Sequence, residues 1–395
     1  MKAKSISKAQ VMTLILLVLF SPLAIDIYLP ALPTIANELG VSSTIAQDTI
    51  TWFLFSMGLG QLFAGPLADK FGRKTIAIFG VVVYGLSAWF SYLAQSMDWL
   101  LIARLMQGFG ACATSVAAFA AVRDLFGPTR SGKMISYLNG AICFIPALAP
   151  ILGSWLTMQF GWRSNFGLMA SFAVVVLVLL TVFMRETNTV QQTQSVFKLD
   201  RYWSVLKNPS FLFHASMCLL AMAAILAYVT SAPVVLIEQL GLTMKEFTLW
   251  FSFNAVINIF VCMYAPKVMD KIGAHKCLVI GSALLVIAGI AMYSLSSIHT
   301  PAAFMVPVFI SSVGCALILG SGAGEALAPF GDKAGTAAAL LGLFQMSGSG
   351  VLVSWVQSLT LMPQILVALQ MVLIVPAFLI LMTKAYRRWQ FNQAK

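Results

Sequence analysis

The sequence predicts an all-α polytopic membrane protein with twelve transmembrane helices in two pseudosymmetric six-helix bundles. Three observations support this fold class. Of the 395 residues, 60% are hydrophobic and only 9% are charged, whereas a soluble domain carries roughly a quarter charged residues. Long apolar runs recur along the chain, and a membrane-spanning helix needs about 20 mostly apolar residues. Twenty-one of the 24 Lys and Arg residues also fall on one side of the topology that these runs define.

Twelve segments are predicted to span the membrane. The first could be mistaken for a cleaved signal peptide, because Lys2, Lys4 and Lys8 precede it. No small-residue cleavage pattern follows, so we interpret it as a retained span. The predicted spans are 11–33, 48–68, 76–95, 98–121, 134–158, 164–184, 211–233, 247–266, 277–296, 302–322, 335–357 and 363–384.

The basic residues predict the orientation. With the N-terminus in the cytoplasm, Arg163 and Lys245 lie outside, Arg104 lies within a span, and the remaining basic residues lie inside. Cytoplasmic loops of inner-membrane proteins carry this excess of positive charge. We therefore expect a multi-pass inner-membrane protein with both termini in the cytoplasm. Its net charge of +11 indicates contact with an anionic lipid leaflet, not with nucleic acid.

One long charged stretch divides the chain into halves. It predicts an N-terminal six-helix bundle at 1–184, a cytoplasmic linker at 185–209 and a C-terminal six-helix bundle at 210–395. Within the linker, the segment from Leu199 to Leu206 is amphipathic, which is typical of a helix that lies on the membrane surface.

A short internal repeat supports duplication. Asp69-Lys70-Phe71-Gly72 after the second span matches Asp270-Lys271-Ile272-Gly273 after the eighth, at an offset of 201 residues. Parallel repeats of six-span units occur in transporters, and a channel or a receptor does not require them.

Asp26 and Arg104 are ionisable residues inside predicted spans. An intramembrane charge costs several kcal/mol unless it faces a cavity or a partner. Asp26 is expected to exchange protons and, when ionised, to attract a cation or to pair with Arg104. Because Arg keeps its charge, Arg104 is interpreted as a source of positive field. The alternatives are an Asp26 near the outer interface and an Arg104 that extends outwards beside Asp98 and Trp99.

Loop and helix-breaking residues form a second group of candidates, for gating. Glycines allow a tight turn, and Asp69 can cap a helix or pair with an Arg. Prolines remove helix hydrogen bonds and bend a span. The alternative for the loop at 65–74 is an ordinary basic turn, and the alternative for Glu325 is a solvated loop position. The predicted gating residues are Gly65, Asp69, Gly72, Arg73, Lys74, Pro146, Pro150, Asp270, Gly273 and Glu325.

Several motifs resemble the major facilitator superfamily. The loop Gly65-Pro66-Leu67-Ala68-Asp69-Lys70-Phe71-Gly72-Arg73-Lys74 resembles its GxLaDrxGrk signature. The segment from Leu101 to Ala111 resembles lxxxRxxqGxgaa, a signature typical of proton-coupled members. The segment from Asn139 to Ser154 resembles the glycine–proline signature of antiporters, although Ile145 replaces a Gly and Gly153-Ser154 replaces a Gly pair.

The whole chain is similar to the Bcr/CflA branch of drug:proton antiporters, and within it to EmrD-type multidrug exporters. The match includes Asp26-Ile27-Tyr28-Leu29-Pro30-Ala31-Leu32-Pro33, Arg123-Asp124-Leu125, Gly335-Thr336-Ala337 and Gly348-Ser349-Gly350-Val351. The resemblance implies alternating-access export of amphipathic or cationic drugs against inward proton flow, with Asp26 and Arg104 in proton coupling. A proton-coupled transporter of a specific metabolite, a passive facilitator and a membrane sensor stay open, since fold does not determine substrate.

The expected partners are small-molecule drugs, protons and the lipid bilayer. A monomer is expected, and neither an enzyme activity nor a catalytic residue is predicted. No cofactor or metal is predicted, since the six cysteines are scattered, and no nucleotide, since the GxxxxGK[ST] loop is absent. For Asn254 and Asn258, contact between helices is the alternative role. Predicted substrate contacts are Tyr28, Gln107, Asn139, Phe144, Tyr228, Asn254, Asn258 and Gln345.

Overall fold

A computed structural model of the chain describes residues 7–187, 199–383 and 386, and these residues form helices joined by short turns without any strand. Residues 188–198, in the middle of the predicted linker, lie outside the described part. The described helices form two compact units. The first comprises Met1–Leu199 with Met244–Ser252, and the second comprises Asp200–Thr243 with Phe253–Lys395.

The all-α membrane fold predicted from the sequence is confirmed. Within the described residues, eleven helices are long and apolar enough to cross a membrane, and a bent pair at the N-terminus supplies a twelfth span. The α-helices are α1 Lys8–Val18, α2 Phe20–Asp26, α3 Leu32–Glu38, α4 Ser43–Phe71, α5 Arg73–Tyr92, α6 Met97–Phe160, α7 Arg163–Phe183, α8 Leu199–Leu206, α9 Pro209–Pro233, α10 Met244–Ile272, α11 Ala274–Ser294, α12 Pro301–Leu327, α13 Ala334–Leu343, α14 Ser349–Gln357, α15 Pro363–Val372 and α16 Val375–Met382.

The first span, predicted over 11–33, is a broken helix in the structure. The chain bends by 40° between α1 and α2. Pro22 has no N–H for the carbonyl of Val18 four residues earlier, and its ring crowds that carbonyl. A second interruption follows α2, where a 3₁₀ turn at Leu29–Ala31 precedes α3.

Other helices are continuous beyond their predicted ends or contain a local irregularity. The long helix α6 contains two spans, Met97–Gly127 and Tyr137–Phe160, with non-helical backbone at Gly127. It stays helical through Pro146 and Pro150. In the second unit, a π-helical turn follows α9 at Val234–Gln239, and another separates α13 from α14 at Phe344–Gly348.

Glycines mark equivalent positions in the two units. Gly72 ends α4 with φ of 98°, and Gly273 ends α10 with φ of 85°, a backbone region that favours glycine. A Cβ on Gly80 would lie 2.8 Å from the carbonyl oxygen of Gly110, so α5 and α6 touch through backbone. The same contact joins α11 and α12, where a Cβ on Gly281 would lie 2.8 Å from the Gly314 oxygen. These recurrences support duplicated six-helix units.

Candidate functional site

Arg104 lies in the interior of the first unit and is fully buried. The helix that carries it begins at Ser96, whose hydroxyl accepts a hydrogen bond from the Trp99 N–H at 3.3 Å. One turn beyond Arg104, α6 contacts α4 so closely that a side chain on Gly108 would collide with the Phe53 carbonyl. The alternative of an outward-extending Arg104 is therefore excluded.

The Arg104 guanidinium joins three helices through hydrogen bonds. Its Nη2 donates to the Ala24 carbonyl of α2 at 2.8 Å, and its Nε donates to the Thr49 carbonyl of α4 at 3.2 Å. Its Nη1 donates to Gln107 Oε1, one turn further along α6, at 2.5 Å.

Two aromatic rings complete the surroundings of the guanidinium. Its carbon lies 4.8 Å from the centroid of the Tyr28 ring and 4.5 Å from that of Phe53. A cation over an aromatic face is attracted by the ring quadrupole, and the attraction is larger when both groups are desolvated. The positive charge is thus stabilised by dipoles and rings.

Asp26 ends α2 and is only 5% exposed. Among the described residues, none hydrogen-bonds to its carboxyl, and Arg104 forms no ion pair. The Asp26–Arg104 pair expected from the sequence is therefore not formed in this structure, because backbone carbonyls and Gln107 occupy the Arg104 donors. Gly153 of α6 packs directly on the break after Asp26, where a side chain would collide with the Ile27 carbonyl.

Two predicted substrate-contact residues of the first unit are buried in this cluster. Tyr28 is fully buried, and its hydroxyl shares a hydrogen bond with Thr49 Oγ1 at 2.9 Å. Gln107 is also fully buried and contacts Met169 Sδ through its amide nitrogen at 3.5 Å. By contrast, Asn139 and Phe144 are exposed. The structure brings Tyr28, Gln107 and Arg104 together, and Asn139 and Phe144 form no described hydrogen bond or ring contact with them.

The predicted contacts of the second unit are largely buried. Asn254 Oδ1 accepts a hydrogen bond from Ser312 at 2.9 Å, and Asn258 donates to the Asn254 carbonyl at 3.1 Å, so this pair joins α10 to α12. Tyr228 is buried on α9 beside Phe304. Gln345 lies in the π-helical turn Phe344–Gly348 and is half-buried. Such turns are frequent at functional sites.

The loop at 65–74 forms an ion network at one end of the first unit. Arg73 forms a salt bridge with Asp69, and its Nε donates to Asp124 Oδ2 at 3.1 Å. Thr187 also donates to Asp124, at 3.2 Å. Gly65 lies on α4 before this network. The network therefore links the end of α4, the end of the first span within α6 and the residues after α7 with the start of α5.

Glu186 completes the loop as a helix cap. Its carboxylate accepts the backbone N–H of Arg73 at 2.8 Å and that of Lys74 at 3.1 Å, at the N-terminus of α5. Carboxylates at this position satisfy unpaired N–H groups and the helix dipole. A side chain at position 72 would collide with Glu186, so Gly72 is required for the cap as well as for the turn. The Lys74 ammonium adds a hydrogen bond to the Thr181 carbonyl at 2.9 Å.

The second unit repeats the turn, but its described residues form no equivalent ion network. Ala274 stands where the first unit has Arg73, and Asp270 is exposed near Gly273. Glu325 is half-buried near the end of α12. Burial raises the pKa of Tyr386, and the negative charge of Glu325 raises it further.

Sequence reasoning missed Glu186 and assigned Asp124 no role. Both are acidic residues near span ends, on the side of the topology that is otherwise rich in Lys and Arg. An acidic residue among basic ones was the signal that could have identified them. It also missed the cluster at the opposite end of the first unit. There Glu38 forms a salt bridge with Arg163 and accepts the Trp162 indole N–H at 2.7 Å.

Comparison with known proteins identifies the family. The sequence model of the Major Facilitator Superfamily matches residues 14–353, so the chain belongs to this superfamily. The chain is 32% identical over 335 residues to the multidrug resistance protein MdtL of Escherichia coli O17:K52:H18, which covers 85% of each chain. It is 31% identical over 347 residues to MdtL of Shewanella oneidensis, with 87% of each chain covered.

Solved structures support the same fold. The chain resembles a D-xylose–proton symporter with a TM-score of 0.75 and 17% identity, over 96% of this chain and 98% of that one. It resembles the nucleoside transporter NupG with a TM-score of 0.74 and 13% identity, over 94% of this chain and 100% of that one. The predicted superfamily is confirmed, and the Bcr/CflA branch stays a prediction.

We predict that Arg104→Lys destabilises the protein. A lysine cannot reproduce the fork that reaches Ala24 and Thr49 together. Each buried acceptor left without a donor costs about 1–3 kcal/mol. The melting temperature of the purified variant in detergent should fall by several degrees, whereas the exposed substitution Lys70→Ala should leave it unchanged. Equal melting temperatures for Arg104→Lys and the parent protein would contradict this role.

Proposed function

We propose that the chain is a proton-coupled multidrug efflux antiporter, which exports amphipathic and cationic drugs across the inner membrane by alternating access. The observation that carries the coupling is Asp26, a buried carboxyl at the break of the first span. Curated relatives with the printed name multidrug resistance protein, similar over most of both chains, support the drug substrates.

Asp26 suits competition between a proton and a cationic drug. An ionised carboxylate buried without a counter-charge is expensive, whereas a neutral carboxyl costs much less. Either a proton or a cationic substrate removes this cost, and the two exclude each other at one group. Exchange then follows because each ligand shifts the same conformational equilibrium.

Arg104 supports this exchange from a distance. Its charge is permanent, and its donors are already occupied by Ala24, Thr49 and Gln107. It therefore acts as a positioning residue that holds α2, which ends at Asp26, against α4 and α6.

We predict that Asp26→Asn abolishes proton-driven export, because Asn mimics the protonated state permanently. In everted vesicles with an imposed pH gradient, transport of a fluorescent cationic dye should fall to the level seen with an uncoupler, while dye binding persists. Asp26→Glu should keep partial activity with a shifted pH optimum. Drug-induced proton release, measured in the same vesicles, should be lost only in Asp26→Asn.

Asp98→Asn is the matched control, since Asp98 is exposed at the start of α6, and it should transport normally. Full proton-driven export by Asp26→Asn would place coupling elsewhere, with Glu325 as the next candidate. Loss of dye binding in Asp26→Asn would instead make Asp26 a structural residue.

The ion network around Arg73 is proposed to stabilise one access state. Asp69 is more than half exposed, at 54%, so its salt bridge contributes little to folding, about 1 kcal/mol or less. A contact of this strength can still bias a conformational equilibrium between states of similar free energy.

We predict that Asp69→Asn and Arg73→Ala reduce dye transport strongly while membrane expression is retained. Lys70→Ala should transport normally, because the Lys70 side chain is exposed and its ammonium lies over the Phe71 ring at 5.2 Å. Efflux rates normalised to expression test this. Normal efflux by both network variants would remove the gating role.

The orientation is proposed from the distribution of basic residues, with both termini in the cytoplasm. Within the second unit, Lys333 before α13 donates to Ser204 of α8 at 3.1 Å, so these two connections share a side of that unit. A fluorescent reporter active only in the cytoplasm should be bright when fused at Lys395 and dark when inserted near Ser43. A bright reporter at Ser43 would invert the topology.

A further inference from the structure

The helix α8 has an apolar face that the described residues do not cover. Val205 is fully buried in the second unit and holds the helix against it. Leu199 and Trp203, one turn apart, remain 82% and 60% exposed. With Leu206 they occupy positions i, i+4 and i+7, so they share one face of the helix.

Basic side chains lie on and beside α8. The Lys207 ammonium borders the apolar face, since it lies over the Trp203 ring at 5.5 Å from its centroid. Arg201 is exposed on the opposite side of the helix, and the Lys333 ammonium binds Ser204 Oγ. Asp200 is the acidic residue within the helix, so the surroundings of α8 carry more positive than negative charge.

The helix α8 directly precedes a membrane-spanning helix. Only Lys207 and Asn208 separate it from α9, a membrane span of mean hydropathy 2.2. Asn208 caps that span by accepting the backbone N–H groups of Ser210 at 2.9 Å and Phe211 at 3.2 Å. A helix so close to the start of a span meets lipid headgroups before it meets bulk solvent.

We propose that α8 binds anionic phospholipids of the cytoplasmic leaflet. Leu199 and Trp203 insert at the boundary between headgroups and acyl chains, where Trp is enriched. Lys207, beside Trp203, lies closest to the lipid phosphates, and Arg201 and Lys333 add to the positive charge that the negative leaflet attracts beside a span. The inference rests on the proposed orientation, with this side of the second unit in the cytoplasm.

The test uses spin labels on the full-length protein in vesicles. Cys143 and Cys262 are replaced by Ser, since the other four cysteines are buried. One label is placed through Leu199→Cys on the apolar face, and the matched control through Asp200→Cys on the polar face. Accessibility to oxygen and to a water-soluble nickel chelate is compared in phosphatidylcholine vesicles with and without phosphatidylglycerol.

The label at 199 should be accessible to oxygen and protected from the chelate, and the label at 200 should show the opposite. Phosphatidylglycerol should increase this contrast, and the double variant Arg201→Gln and Lys207→Gln should remove the increase. The inference is overturned if both labels meet the chelate equally, or if both reagents are excluded at 199, which would indicate a protein partner.

The same contrast with and without phosphatidylglycerol would also overturn it, as would a response that survives in the double variant. These depth measurements require no transport, so they stay valid if the proposed antiport fails. The reporter at Lys395 tests the orientation separately.

Discussion

The buried guanidinium of Arg104 is the interaction on which the first unit depends. Its nitrogens donate hydrogen bonds to Ala24, Thr49 and Gln107, and the rings of Tyr28 and Phe53 lie beside it. The helix α2 ends at Asp26, so the backbone N–H of Tyr28, four residues after Ala24, does not continue it. The Ala24 carbonyl is therefore available to Arg104. The break in the first span and the burial of Arg104 therefore require each other. Loss of either one would leave buried polar groups unpaired.

The sequence predicts that Asp26 and Arg104 act together in proton coupling, whereas the structure gives the two residues different surroundings. Arg104 is held by neutral acceptors and stabilises the packing of α2, α4 and α6. Asp26 lies beside the same break without a described partner, and its role in proton coupling stays a proposal. Both units keep the glycine turn, at Gly72 and Gly273. Among the described residues, an Arg that reaches two carboxylates is found beside the turn of the first unit.

Much of the fold was predictable from the sequence. Apolar runs place twelve spans, and the loop around Gly72 predicts both a tight turn and an ion pair that the structure contains. The break between α1 and α2 inside the first span was not predicted, since the effect of Pro22 on the Val18 carbonyl was overlooked. Local sequence patterns could not predict the Glu186 cap, because it joins the residues after α7 to the start of α5, 113 residues apart in the chain. The roles of Tyr28 and Gln107 as substrate contacts stay predictions, and both side chains lie in the Arg104 cluster.

The sequence by itself determined which segments cross the membrane, how the basic residues are distributed and which superfamily the chain belongs to. These properties follow from hydropathy, charge and short motifs, each of which is local to a segment. Only the tertiary structure decided that Arg104 binds carbonyls instead of Asp26, that Glu186 caps α5 and that α8 buries Val205 but exposes Trp203. A buried donor takes whichever acceptor packing brings within about 3 Å. Residues 24, 49 and 104 become neighbours only when their helices pack.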